Sequence, residues 1–61
     1  MEFKQTFRSG NNKYYVVGQK GCFAVRRQDW LETALVGYAR DIAEAMALIR
    51  QDSRSGDIRA A

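Results

Sequence analysis

Five basic and aromatic side chains in the first half of the chain have the composition of a nucleic-acid contact surface. They are Lys4, Arg8, Lys13, Tyr15 and Arg26. Cationic side chains neutralise phosphates, and a tyrosine ring can stack on a base. The charge is uneven as well: residues 1–28 carry six basic groups against one carboxylate, whereas residues 29–61 carry four against six. DNA is therefore one expected ligand.

A second set of side chains, mostly small or apolar, forms a candidate surface for a protein partner. The set comprises Cys22, Ala24, Arg26, Thr33 and Leu35. All five fall on predicted strands, at positions that face away from the predicted helix. A small protein with a continuous exposed apolar patch usually buries it against another chain. Scattered exposed apolar residues are also normal, so a merely amphipathic face is the alternative.

The residue types argue against catalysis and against a bound cofactor. The chain has no histidine, which removes the commonest acid–base group and the usual zinc ligand. Asp41 and Glu44 have the three-residue spacing of a capping box, which accounts for both carboxylates. Cys22 is the single cysteine, so no internal disulfide can form, and we expect it to pack as a small apolar group. The sequence predicts a protein that is not an enzyme.

The length limits the chain to one small domain over residues 1–61. A domain of this size buries only about 60% of the surface that its unfolded chain exposes. Without disulfides or metal, association remains as a means of stabilisation, either as a homodimer or with a larger protein or nucleoprotein complex. No apolar run reaches membrane-spanning length. We expect a cytoplasmic protein that does not bind membranes.

Four segments have the alternation or composition of strands. FKQTFR at residues 3–8 alternates, KYYVV at 13–17 is aromatic and β-branched, and CFAVRR at 22–27 and ETALVGY at 32–38 follow. Turn-forming residues separate the segments, so consecutive strands are expected to pair antiparallel. Either Tyr14 and Val16 or Tyr15 and Val17 face the core, because a shift of one residue exchanges the faces.

One helix follows the strands. Ile42, Ala45, Met46 and Ile49 recur at helical spacing behind the predicted cap, and the helix is expected to end near residues 52–53. The predicted fold is α+β: a small antiparallel β-meander of three to four strands packed on one C-terminal α-helix, with a core spanning about residues 3–52 and a frayed tail at 53–61. The expected helix-facing strand residues are Phe3, Phe7, Phe23, Val25, Val36 and Tyr38. We also expect Trp30 to cap the open edge of the core, with an anchor for a binding partner as the alternative.

The segments NNKYYVV, GCFAVRR and LVGYARDIAEAM resemble a family of DNA-binding domains built from a three-stranded sheet and a helix. Such domains occur at the N-termini of phage and transposon integrases and in plant ethylene-response factors. The family's small-residue corner and its Glu-Ala helix match Val36, Gly37, Tyr38, Glu44 and Ala45. The resemblance covers about residues 12–52. It implies that the sheet face turned away from the helix reads DNA.

Two functional hypotheses follow. The first is a non-catalytic protein-binding module: an accessory protein of a phage or mobile element that masks a surface of a larger partner, as an inhibitor of a host defence or nucleic-acid-processing complex. The second is a sheet-reading DNA-binding domain of integrase, excision or transcription-factor type. The stand-alone size and the apolar outward residues favour the first hypothesis, which is the function that the sequence predicts, with the second as its alternative. The basic first half and the family resemblance favour the second.

Overall fold

The computed structural model describes residues 2–61 and confirms the α+β class. Five strands form one antiparallel sheet, and one helix covers it. The elements in chain order are β1 (Phe3–Ser9), β2 (Asn12–Gln19), β3 (Cys22–Gln28), β4 (Thr33–Ala39), α1 (Ile42–Ser53) and β5 (Ile58–Ala60).

The sheet has the strand order β4-β3-β2-β1-β5. The first four strands form the predicted meander, because two-residue turns join Ser9 to Asn12 and Gln19 to Cys22. The prediction of a frayed tail over residues 53–61 is corrected: Ile58–Ala60 forms β5 and pairs antiparallel with β1. The linker before β5 is polar and contains Ser and Gly, so the sequence does not predict this short strand. The sheet therefore has one strand more than predicted.

The register decides which alternate residues of β2 face the helix. Tyr14 and Val16 are completely buried, whereas Tyr15 and Val17 lie on the opposite side and are half-buried. We call that opposite side the outer face. Its residues on neighbouring strands are paired, as in the Tyr15–Arg26 pair of β2 and β3.

The core lies between the sheet and α1. Its fully buried side chains come from β2, β3, β4 and the helix: Tyr14, Val16, Phe23, Val25, Ala39, Ala45 and Ile49. The expected positions of Phe3, Phe7 and Val36 are confirmed, since these side chains pack against the core. Phe3 contacts Phe23 edge to face, with ring centroids 5.6 Å apart.

A β-bulge in β4 changes the prediction for Tyr38. Val25 pairs with Gly37 while the next β3 residue, Arg26, pairs with Leu35, so Val36 is an extra residue. The insertion turns Tyr38 to the outer face, where it is 64% exposed. The prediction that Tyr38 faces the helix is therefore wrong. Gly37 faces α1 instead, and a Cβ there would lie 3.3 Å from a methyl group of Leu48. Helix and strand thus approach closely at the bulge.

The helix has the predicted N-cap. The Asp41 carboxylate accepts the N–H of Glu44 at 2.8 Å, and the Glu44 carboxylate accepts the N–H of Arg40 at 3.2 Å. This differs from a capping box only in that Glu44 reaches one residue further back. At the other end Arg54 is left-handed, with φ 59°, and its N–H bonds to the carbonyl of Arg50. The helix ends at Ser53, as predicted.

Two further sequence predictions are corrected. Trp30 lies in the turn between β3 and β4 and is 92% exposed, so it does not close the core. Cys22 begins β3 on the outer face and is exposed rather than packed.

Candidate nucleic-acid interface on the outer face

The outer face is strongly basic. None of the five strands contains an aspartate or a glutamate, and six of their residues are lysine or arginine. One of the six, Arg27, points toward the helix. The other five lie on the outer face: Lys4, Arg8, Lys13, Arg26 and Arg59.

The cations are most concentrated on β5, β1 and β2, whose outer-face residues we call the basic half. Arg8 lies opposite Lys13 on one side and opposite Arg59 on the other, so three like charges lie in a row across three strands. Like charges directly opposite each other destabilise a sheet. Among residues 2–61, Asp57 is the one carboxylate that pairs with this row, 3.3 Å from the Arg59 Nε and largely exposed. A bound anion would relieve the remaining repulsion.

Tyr15 is held in place at the centre of the outer face. Its hydroxyl donates to the side-chain oxygen of Gln28 at 3.0 Å, and the Lys13 ammonium lies 5.8 Å from its ring centroid. Arg26 lies directly opposite it on β3. A ring fixed beside two cations can stack on a base while its neighbours contact phosphates.

Apart from Arg26 and Gln28, the outer-face residues of β3 and β4 have a different character, and we call them the apolar half. Leu35 and Tyr38 are 45% and 64% exposed, and Ala24 lies half-buried between the strands. Cys22 and Thr33 are exposed at opposite ends. Beyond the sheet, the apolar surface continues into the β3–β4 turn, where Leu31 is 87% exposed beside Trp30.

Arg26 and Arg27 show which arginines are free to bind. The Arg27 guanidinium lies 3.0 Å from Asp29 and 3.0 Å from Asp52, and its pKa is raised first by the hydrogen bond to Asp29 and then by the hydrogen bond to Asp52. Arg26 is exposed and forms no ion pair within residues 2–61. Arg27 therefore links sheet to helix, and Arg26 can meet an external anion.

The structure brings the two predicted residue sets onto one surface. All five expected nucleic-acid contacts lie on the outer face, and the five expected partner-binding residues lie there too. Sequence reasoning missed Arg59, which lies in the segment taken for a tail, and Tyr38, which the bulge turns outward. The isolated Gly37 within the predicted strand is the one sequence signal of the bulge.

A shallow cavity of about 310 Å³ adjoins the basic half at the corner where β1 meets β5. Its lining is polar and includes both arginines of the charged row: Arg8, Ser9, Gly10, Ser55, Asp57 and Arg59. In size it could accommodate a single anionic group such as a phosphate.

The part of the chain that the structure describes has neither a metal-binding cluster nor a membrane-spanning helix. Residues 2–61 contain no group of three or more His, Cys, Asp or Glu side chains placed to hold a metal ion. Over the same residues, no helix has the length and apolarity needed to cross a bilayer. A scan against protein-family models finds no match, and searches of curated proteins and of solved structures find none either.

Proposed function

We propose that the chain is a non-catalytic nucleic-acid-binding domain that contacts DNA through its outer face. The observation that carries the proposal is the set of five outer-face cations on a sheet without a single carboxylate. Phosphate contacts supply most of the affinity of such surfaces and fix their orientation on the nucleic acid. The resemblance to integrase-type domains supports the same use of this face.

The proposal assigns different tasks to the two groups of contacts. Arg8, Lys13 and Arg59, in one row, contact successive phosphates. Tyr15 and Arg26, in the neighbouring row, reach bases or the opposite strand. A tyrosine held by Gln28 loses little side-chain entropy on binding, which favours its use as a stacking residue.

The test is a titration of a short labelled DNA duplex at two salt concentrations. With five cations engaged, affinity should fall about 500-fold between about 50 mM and about 200 mM salt, because each neutralised phosphate releases counterions. A salt-independent affinity, or no binding at the lower salt concentration, would contradict the proposal.

Charge-matched variants locate the interface. Arg26→Gln should weaken binding and lower the steepness of the salt dependence by about one unit. Arg50→Gln removes the same charge from the exposed last turn of α1, on the other side of the sheet, and should leave both quantities unchanged. Equal effects of the two variants would mean that net charge, and not the outer face, determines binding.

A second candidate function is supported by the apolar half. The exposed Leu35 and Tyr38, with Trp30 and Leu31 beyond them, suit a module that masks a surface of a larger protein. This would be an accessory protein of a phage or mobile element that inhibits a host defence or nucleic-acid-processing complex. Either function belongs in the cytoplasm of a bacterial host.

Ala24→Arg tests this second candidate. Ala24 lies on β3 within the apolar half, so an arginine there would obstruct a docked protein while adding a cation to the outer face. We expect loss of the partner and undiminished DNA affinity if the second candidate is right. Retention of a captured partner by the Ala24→Arg variant would rule out docking on this half.

A further inference from the structure

The two edges of the sheet are protected unequally. β5 is three residues long, carries Arg59 and has the Arg59–Asp57 ion pair beside it. β4 is seven residues long and contains no charged residue and no proline. Short length and charge are the usual means of preventing a strand edge from pairing with another chain. β5 has both features and β4 has neither.

The backbone of β4 offers unpaired groups along its open side. The N–H of Asp29 donates to the carbonyl of Glu32 at 2.7 Å, which makes these two residues a hydrogen-bonded pair. Pairing continues in the same register along β3 and the first half of β4. Because bonded and non-bonded pairs alternate, Thr33 and Leu35 direct their N–H and C=O groups away from β3. Among residues 2–61, no strand lies there to receive them.

Apolar side chains lie beside this edge on both sides of the sheet. Leu35 and Tyr38 are exposed on the outer face. On the helix side, a shallow groove of about 310 Å³ between β4 and α1 is lined by the apolar Val36 and Leu48 and by the polar Gln51, Asp52 and Arg54. A strand added at the edge would cover both surfaces, which adds a hydrophobic contribution to the backbone hydrogen bonds.

The charges at the ends of β4 favour a second copy of the chain as the molecule that pairs with this edge. Glu32 precedes the strand and Arg40 follows it, and both are exposed. Two copies of β4 in antiparallel alignment place the Glu32 end of each beside the Arg40 end of the other. We infer that the chain forms a homodimer in which β4 of one copy pairs antiparallel with β4 of the second, joining the two sheets into one.

The two-fold symmetry of this dimer has a consequence for the outer face. An antiparallel strand pair relates the copies by an axis perpendicular to the sheet, so both helices lie on one side and both outer faces on the other. The dimer is therefore a property beyond the proposed function and is compatible with it. Its formation does not depend on nucleic acid.

Sedimentation velocity of the full chain, without nucleic acid, tests the dimer. The apparent mass should rise from 7.0 kDa toward twice that value as the concentration is raised. A range from about 1 μM to about 1 mM covers weak and moderate affinities. Amide exchange locates the contact: the Thr33 and Leu35 amides should exchange more slowly as the dimer fraction rises. The Ala34 amide, which faces β3, serves as the internal control.

Charged variants at the two edges provide the comparison. Leu35→Lys places like charges near the two-fold axis and should weaken dimerisation at least about tenfold. Ala60→Lys puts the same charge on β5 and should leave the dimer affinity unchanged. If Leu35→Lys does not fold, Thr33→Lys takes its place, since Thr33 is exposed on the same strand. A monomer throughout the range, equal weakening by Ala60→Lys, or a dimer without added protection at Leu35 would each overturn the inference.

Discussion

Arg26 and Arg27 are neighbours in β3, yet they lie on opposite sides of the sheet and differ in every interaction. Arg27 faces α1 and is paired with two carboxylates, one of them on the helix. Arg26 faces outward, opposite Tyr15, and forms no ion pair among residues 2–61. A similar contrast holds for the sheet as a whole: on the helix side Arg27 is paired with carboxylates, whereas on the outer face only Arg59 is, among the residues that the structure describes. The helix side stabilises the fold, and the outer face is free to bind.

The largest expected effect of that difference is on stability. Ile49→Ala should lower the free energy of unfolding by about 2–5 kcal/mol, because Ile49 is completely buried between helix and sheet. The matched change on the outer face, Leu35→Ala, should cost less than about 1 kcal/mol, since Leu35 is 45% exposed. Urea unfolding at low protein concentration measures both. Similar losses for the two variants would show that the outer face is part of the structural core.

The two arginines give the next largest contrast. Arg26→Gln should weaken DNA binding about tenfold, the range for loss of one charged contact, while the urea midpoint stays unchanged. Arg27→Gln should lower the urea midpoint, since it removes the guanidinium hydrogen bonds to both Asp52 oxygens beside the buried Tyr14. Its DNA affinity, measured well below its unfolding midpoint, should match that of the unmodified chain. A reversed pattern would mean that the helix side carries the interface.

Tyr14 tests the helix side in a different way, through pH. Its hydroxyl donates to Asp52 at 2.7 Å, and burial, followed by this hydrogen bond, raises the pKa of Tyr14 above 10.0. The neutral phenol is favoured in the folded state, so its stabilisation is complete below about pH 10 and is lost as the pH rises through the folded pKa. Tyr14→Phe should cost about 0.5–1.5 kcal/mol at neutral pH.

The alkaline behaviour distinguishes this hydrogen bond from simple packing. Urea midpoints of the unmodified chain should fall more steeply above about pH 10 than those of Tyr14→Phe, because only the former has a buried phenol to ionise. The two proteins differ only in the hydroxyl of residue 14, so the difference between the two curves isolates Tyr14. Parallel curves would mean that ionisation of the buried Tyr14 hydroxyl does not affect the stability of the fold.

The sequence predicts those parts of the structure that depend on local pattern. Alternation along β1 and β3, glycine-containing turns and the Asp41 cap led to four strands and one helix in the observed order. What it could not predict depends on contacts between distant residues. β5 forms because Ser9 and Ser53 bring the linker to β1, with Ser9 Oγ donating to the Asp57 carbonyl at 2.9 Å. Which alternate residues of β2 face the helix likewise depends on how β2 pairs with its neighbouring strands.

The candidate interface was predictable to a similar extent. The residues Lys4, Arg8, Lys13, Tyr15 and Arg26 were found from residue type and alternation alone, since a strand's period of two places such residues on one side. Arg59 and Tyr38 were not, because one lies on an unpredicted strand and the other follows a bulge. The isolated Gly37 indicates an irregularity in β4, but the direction in which Tyr38 then points depends on how β4 pairs with β3.

The smallest expected effect concerns Trp30, which belongs to neither side of the sheet. Because its indole is 92% exposed, Trp30→Ser should change the free energy of unfolding by less than about 0.5 kcal/mol. A large exposed aromatic side chain that contributes nothing to folding is typical of an anchor for another molecule. Titrations of the variant with DNA and with a captured protein partner would show which ligand it contacts. If only the protein complex weakens, the apolar half and its turn bind protein while the basic half binds nucleic acid, and the two proposed functions would then be properties of one bipartite surface.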